Sequence, residues 1–229
     1  MWVYIWNDTW LPNENTVVYY NIDDNDTTTN IYDKSWNNYT LSWWTFTYVT
    51  DSSAWKVYQW WDYSTLPSTN IIDFWQTFTF IAWVKLTNST DWYSIFANGA
   101  GSSSHASNGF WHVTNPSSIK WMASWVANDW LCVQSNTSPT LNVWLCLWYS
   151  RDSSWNMKMF FNGQNVWTAT LSNTVQYPSS TQFVLWWWRA WDKQPLKWYL
   201  KVLIWEKKGW TVEQMAWYYN QTKSQYWIS

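Results

Sequence analysis

The sequence predicts an all-β fold, two antiparallel sheets packed as a sandwich with one short C-terminal helix, and three observations lead to it. In residues 77–86, TFTFIAWVKL, the side chains of Phe78, Phe80, Ala82, Val84 and Leu86 share one face and Thr77, Thr79, Ile81, Trp83 and Lys85 the other, by the two-residue period of extended chain. The second face is only half polar, as suits a strand inside a sandwich. In residues 156–170, NMKMFFNGQNVWTAT, two extended runs flank Asn162-Gly163. That pair is the strongest short-range hairpin signal, because a two-residue type I′ turn needs positive φ at both central positions. Finally, short extended segments at about 109–114, 119–126 and 129–136 recur at the regular spacing of a sandwich or barrel.

Taken in order, residues 1–15 are polar and irregular and read as a linker, 16–222 as one domain and 223–229 as a tail. A chain of 229 residues fits a single large β domain. Val17, Val18, Tyr19 and Tyr20 open the first strand, and an acidic loop carrying Asp23, Asp24, Asp26 and Asp33 follows. Residues 41–49 are rich in Thr and aromatics, as strands prefer. Residues 56–66 follow the turn cluster DSSAW, and 93–97 follow the polar NSTD turn. The Gly/Ser-rich loop 98–109 holds Gly99 and Gly101, but no helix pattern succeeds it, so it does not read as a phosphate cradle.

The runs WLCVQSN and LNVWLCLWYS are joined through Thr137-Ser138-Pro139-Thr140. A hairpin symmetric about Pro139 places Cys132 opposite Cys146. The two are then either a cross-strand disulfide, if their Cβ atoms approach to about 3.5–4.5 Å, or two separate small apolar thiols. Two cysteines alone argue for no metal framework. Residues 181–185 and 196–206 give the last strands, and TVEQMAWYYNQ (211–221) is the one helix. Thr211 is its N-cap with Gln214 completing a capping box, and Val212, Met215, Ala216 and Tyr219 form its apolar stripe.

Charge and hydropathy exclude several functions. The net charge is −2 with 12% charged residues and no basic run, so the footprint of a nucleic-acid binder is missing. The longest apolar run, 143–149, is seven residues, against the ~20 of a membrane helix, and no membrane insertion is expected. The N-terminus has neither a positive n-region nor a long apolar core. The chain is therefore expected to be either cytoplasmic or an interior piece of a longer exported protein.

Tryptophan is anomalous. There are 29 Trp and 5 Gly, where average usage predicts about 16 Gly. Many Trp stand where a turn calls for glycine: Trp36 in Ser35-Trp36-Asn37-Asn38, Trp155 in Asp152-Ser153-Ser154-Trp155-Asn156, and the triplet Trp186-Trp187-Trp188 before Arg189. Some bacterial lineages decode UGA as glycine, and a table that reads UGA as tryptophan produces this exchange. Many of these Trp are accordingly expected to be glycine in the natural protein, and Trp36, Trp155 and Trp188 to lie in exposed turns.

Several stretches together resemble the laminin-G-like, concanavalin A-like family. Residues 17–41, VVYYNIDDNDTTTNIYDKSWNNYTL, resemble its opening strand and Asp-x-Ser-Gly-Asn turn, with Trp36 in the glycine slot. QWWDYSTL (59–66) resembles the Gly-Gly-Asp-Tyr segment, and TFTFIAWVKL the Phe-Thr-x-x-x-Trp-Val strand. NVWLCLWYSRDSSWNMKMFFNGQNVWT resembles the Trp-strand and Tyr-x-Asn-Gly hairpin, and residues 183–220 the closing block with its terminal helix. Order and spacing over roughly 16–222 carry the resemblance. It implies a two-sheet jelly roll, in which the first and last strands are neighbours. Nine of 15 acidic residues precede Phe74 and nine of 13 basic ones lie from Arg151 onward, an asymmetry that such neighbours satisfy within the domain.

The resemblance also frames the chemistry. Glucanases of this fold carry two carboxylates in a Glu-x-Asp-x-x-Glu strand, whereas Glu14, Glu206 and Glu213 are the only glutamates here and none has that setting. His105 and His112 have no nucleophile elbow near them. Family members often bind calcium at the sandwich rim, so Asp23, Asp24, Asp26 and Asp62 are either oxygen ligands for calcium or acidic turns bonding their own backbone. Trp83, Trp144 and Trp205 fit aromatic slots and read as packing residues. The expected function is a non-catalytic recognition or adhesion module at a cell surface or in a secreted protein, taking a glycan or a protein ligand. The alternatives are a glucanase-like hydrolase and a structural stalk domain of a pilus-like surface protein.

Overall fold

The computed structural model describes residues 11–22, 30–42, 47–51, 55–59, 64–65, 76–87, 96–98, 109–115, 118–124, 130–134, 140–170, 183–185 and 198–226. The strands in chain order are β1 (Thr16–Asn21), β2 (Asn30–Ile31), β3 (Leu41–Ser42), β4 (Thr47–Asp51), β5 (Trp55–Gln59), β6 (Ser64–Thr65), β7 (Phe78–Leu86) and β8 (Phe96–Asn98). They continue with β9 (Gly109–Asn115), β10 (Ser118–Ser124), β11 (Trp130–Gln134), β12 (Trp144–Arg151), β13 (Asn156–Phe161), β14 (Gln164–Thr170), β15 (Phe183–Leu185) and β16 (Trp198–Glu206). Helix α1 (Val212–Thr222) and a 3-10 turn (Lys223–Tyr226) close the chain.

Eight strands form the large antiparallel sheet, in the order β14-β13-β12-β7-β16-β5-β4 with β1 also on β16. First and last strands are neighbours, as the jelly-roll reading requires. Among the described residues the remaining strands fall into β11-β10-β9, β6-β15-β8 and β2-β3. β6, β8 and β15 are only two or three residues long, which limits how far any ladder among them can run.

The central strand β7 is buried on both faces, and each face has its own partners. Register places Ile81 and Trp83 beside Trp148 and Cys146 on one side and Ile204 and Val202 on the other. With Phe160, Trp210, Met215, Tyr218 and Tyr226 these form one core cluster, so this face is covered by α1 and the turn after it. Trp83 stacks on Tyr226 with ring centroids 4.0 Å apart. The opposite face buries Phe78, Phe80, Leu147, Tyr149, Met159 and Trp205, with Phe78 and Trp205 stacked at 4.8 Å. Such ring pairs add about 0.5–1.5 kcal/mol each beyond the area they bury.

The helix begins as expected: Gln214 N donates to Thr211 Oγ1 and Thr211 N to Gln214 Oε1, completing the capping box. Of the expected stripe Met215 is buried, but its buried companions are Gln214 and Tyr218 rather than Val212, Ala216 and Tyr219. Val212 is exposed. Tyr219 turns toward the β13–β14 corner, where a Cβ on Gly163 would come within 2.9 Å of its ring.

Two further expectations change. Among the described residues β11 and β12 do not pair with each other: β11 pairs with β10, with Cys132 in register with Met122, and β12 pairs with β7 and β13, with Cys146 in register with Trp83. The register that would have opposed the two cysteines does not form, and Cys146 is a free thiol. The domain edges also move outward. Asn13, assigned to the linker, donates through Nδ2 to Glu206 at 2.9 Å. Tyr226, assigned to the tail, is buried against the core.

Candidate functional site

Carboxylates are the chemistry the sequence singled out; among the described ones Glu14 and Glu213 are exposed, while Asp33, Asp51, Asp152 and Glu206 are held by their own surroundings. Asp33, after the acidic loop, is buried and accepts four bonds: Oδ1 from Tyr19 N (2.8 Å) and Ser35 N (2.9 Å), Oδ2 from Ser35 Oγ (2.6 Å) and Tyr39 N (2.8 Å). Short polar side chains bond nearby backbone donors in this way, and here Asp33 ties the turn to β1. Asn37 continues the tie through Nδ2, which reaches the carbonyls of Thr16 (3.1 Å) and Val17 (3.0 Å). Trp36 projects from this turn with 74% of its surface exposed.

Asp152 does the same for the β12–β13 turn. Its Oδ1 accepts from Ser154 N (2.9 Å) and Asn156 N (3.0 Å), and its Oδ2 from Asn156 Nδ2 (3.2 Å). Partial burial alone would raise its carboxyl, but these bonds and the charge of Lys158 outweigh it and hold the group below the usual aspartate value. Asp51 pairs with Lys85 Nζ at 2.6 Å and lies 3.4 Å from Trp144 Nε1.

Glu206 is the carboxylate that sequence reasoning could not place. It ends β16, is wholly buried, and sits at a corner where β1, β7 and the entry to α1 meet. Its Oε1 accepts from Thr16 Oγ1 and Asn13 Nδ2, each at 2.9 Å, and its Oε2 from Trp210 Nε1 at 2.5 Å. Burial pushes its carboxyl above the ordinary glutamate value, and those three donors oppose the push. The corner is closed further by Thr79, whose Oγ1 accepts from Trp210 N (2.7 Å) and donates to Lys208 O (2.6 Å). Gly209 belongs here because a Cβ would lie 2.5 Å from Arg151 O. A carboxylate so enclosed holds strand ends together and has no face open to a substrate.

Asp23, Asp24, Asp26 and Asp62, the calcium candidates, lie outside the described residues, as does His105. His112 is in β9, in register with Trp121. Among the described residues no three His, Cys, Asp or Glu side chains gather as a metal site would. Burial pushes the Cys146 thiol well above its ordinary value, against a reactive role. The aromatic-slot residues Trp83, Trp144 and Trp205 are all buried packing residues, as the sequence indicated. Among the described residues no helix is long and apolar enough to cross a membrane.

With this architecture in place, comparison with known proteins identifies the class. The family model of the concanavalin A-like lectin/glucanases superfamily matches residues 59–207, and the chain belongs to that family. No curated protein sequence matches it. Among solved structures it resembles the binding domain of Paraclostridial Mosquitocidal Protein 1, with TM-score 0.70 and 11% identity over 90% of this chain and 52% of that one. It also resembles the binding domain of botulinum neurotoxin serotype G, with TM-score 0.70 and 13% identity over 92% and 52%. A third likeness is domain 4 of AbnA, a GH43 extracellular arabinanase from Geobacillus stearothermophilus, solved in complex with arabinotriose, with TM-score 0.64 and 18% identity over 88% and 97%. The chain thus spans about half of each toxin domain and nearly all of the arabinanase domain. At these identities the likeness is one of fold.

Proposed function

We propose that this chain is a non-catalytic recognition module that binds a glycan, carried on a surface or secreted protein. The observation that carries the reading is the state of the carboxylates. The family embraces both lectins and glucanases, and glucanase chemistry needs two carboxyl groups facing a substrate. Among the described residues Glu206 is sealed by Asn13, Thr16 and Trp210, Asp33, Asp51 and Asp152 are engaged in turns or an ion pair, and the exposed Glu14 and Glu213 lie before β1 and in the first turn of α1. The arabinanase domain, similar along nearly its whole length and solved with an arabinotriose, supports a saccharide over a protein as ligand. Calcium, held by Asp23, Asp24, Asp26 and Asp62, is part of the proposal as an aid to binding at the loop rim.

A glycan array probed with and without calcium tests this, with release of reducing sugar from β-glucans and arabinans measured alongside. Binding to a defined set of saccharides without release is the expected result. Sugar release abolished by replacing a single carboxylate would overturn the non-catalytic reading, and silence across the array together with capture of a protein ligand would overturn the glycan. Asp24→Asn and Asp62→Asn are expected to remove any calcium dependence and leave calcium-free binding unchanged.

A further inference from the structure

The excess of tryptophan meets backbone geometry at one described position. Trp155 has φ of 65°, in the left-handed region that L side chains rarely adopt. It closes the three-residue loop 153–155 between the hydrogen-bonded Asp152 and Asn156, in which Trp155 N donates to Asp152 O at 3.1 Å and Asp152 N to Asn156 O at 3.1 Å. Such a loop is a type I turn followed by a left-handed residue, and glycine is the usual occupant of that last place. The other described residues with positive φ are Asn38, Asn142, Asn162 and Gly163, types that tolerate it. Trp155 alone among them is bulky.

We infer that residue 155 is glycine in the natural protein, specified by UGA, and that residue 36 is glycine as well. At Trp36 the argument is different, because its φ is not among the positive ones. There the side chain stands 74% exposed on a turn that Asp33, Ser35 and Asn37 hold without it. The same structure separates genuine tryptophans. Trp205 is buried and stacked on Phe78, and Trp210 is buried with its Nε1 on Glu206. A glycine there would leave a cavity and, at Trp210, a carboxylate oxygen without its donor. The inference bears on recognition: Trp36, the most exposed of the described large apolar side chains, is then no stacking platform for a sugar ring.

Tryptic peptides of the protein isolated from its own cells, read with the codons of its gene, decide the matter. The peptide 152–158 is expected to contain glycine at 155 with UGA in the gene, while positions 205 and 210 carry tryptophan from UGG. Tryptophan in that peptide, or UGG at 155, overturns the inference. In the chain as written, Trp155→Gly is expected to raise the melting temperature more than Trp155→Ala does, because alanine keeps the strained φ. The stacking of Trp155 on Arg151, at 3.7 Å from the ring centre, works against that rise. Equal or lower melting temperatures for Trp155→Gly count against the inference.

Discussion

Glu206 shows how a single side chain acts at a distance along the chain. Three donors from residues 13, 16 and 210 converge on it, and each makes sense only after the corner has closed. Its proton is held more tightly in the folded chain than in the unfolded one, because burial disfavours the charge. Between the ordinary glutamate value and its own raised value the folded state therefore binds more protons. The contribution of this group is greatest below the ordinary value and falls as pH rises through that window. Asp152 has the opposite sign: its stabilisation is present above the ordinary aspartate value and lost as pH falls through its lowered one. In Glu206→Gln, urea unfolding across mildly acidic pH should lose the first slope, and stability should drop by about 1–3 kcal/mol, because an amide NH2 would face a donor. An unchanged slope in the variant would show that other groups govern that window.

At the scale of elements, the β13–β14 corner and the start of α1 are specified locally but seated by each other. Asn162 N donates to Cys146 O at 2.9 Å and its Oδ1 accepts from Cys146 N at 2.8 Å, so the corner locks onto β12. Gly163, at φ 78°, packs beneath Tyr219 of the helix. Gly163→Ala is expected to destabilise the domain by more than about 1 kcal/mol, because alanine is strained at positive φ and its methyl meets the tyrosine ring. Thr211→Ala should cost about 1 kcal/mol through the lost cap alone. Chemical denaturation of the two variants and the double variant separates these effects. The first is tertiary and the second local, so additive losses are expected; strong coupling would mean that the cap also positions Tyr219.

For the whole molecule, the domain boundary is the testable quantity. A fragment of residues 11–226 should melt at a markedly higher temperature than 16–222, which has lost Asn13 from Glu206 and Tyr226 from Trp83. Tyr226→Ala alone is expected to cost about 3–5 kcal/mol, as truncation of a buried aromatic does. Equal stability of the two fragments would restore the narrower boundary. Both boundary residues were hidden in the sequence for the same reason. Asn13 sits in a polar stretch, and Tyr226 follows the end of the helical pattern, so neither carries a periodic signal of burial.

The sequence by itself determined what depends on near neighbours along the chain. The alternation of 77–86 yields β7 buried on both faces, Asn162-Gly163 yields the corner, and Thr211 with Gln214 yields the capped helix. It also carried the neighbouring of β1 and β16, through the family resemblance. Only the tertiary structure decided which strands pair across gaps, and so parted Cys132 from Cys146. The symmetry of a turn about Pro139 says nothing of whether β12 finds β7 and β13 more favourable than β11. It likewise decided the role of the carboxylates, since whether Glu206 is a sealed anchor or an open acid depends on donors 190 and 193 residues away in sequence as well as on Trp210.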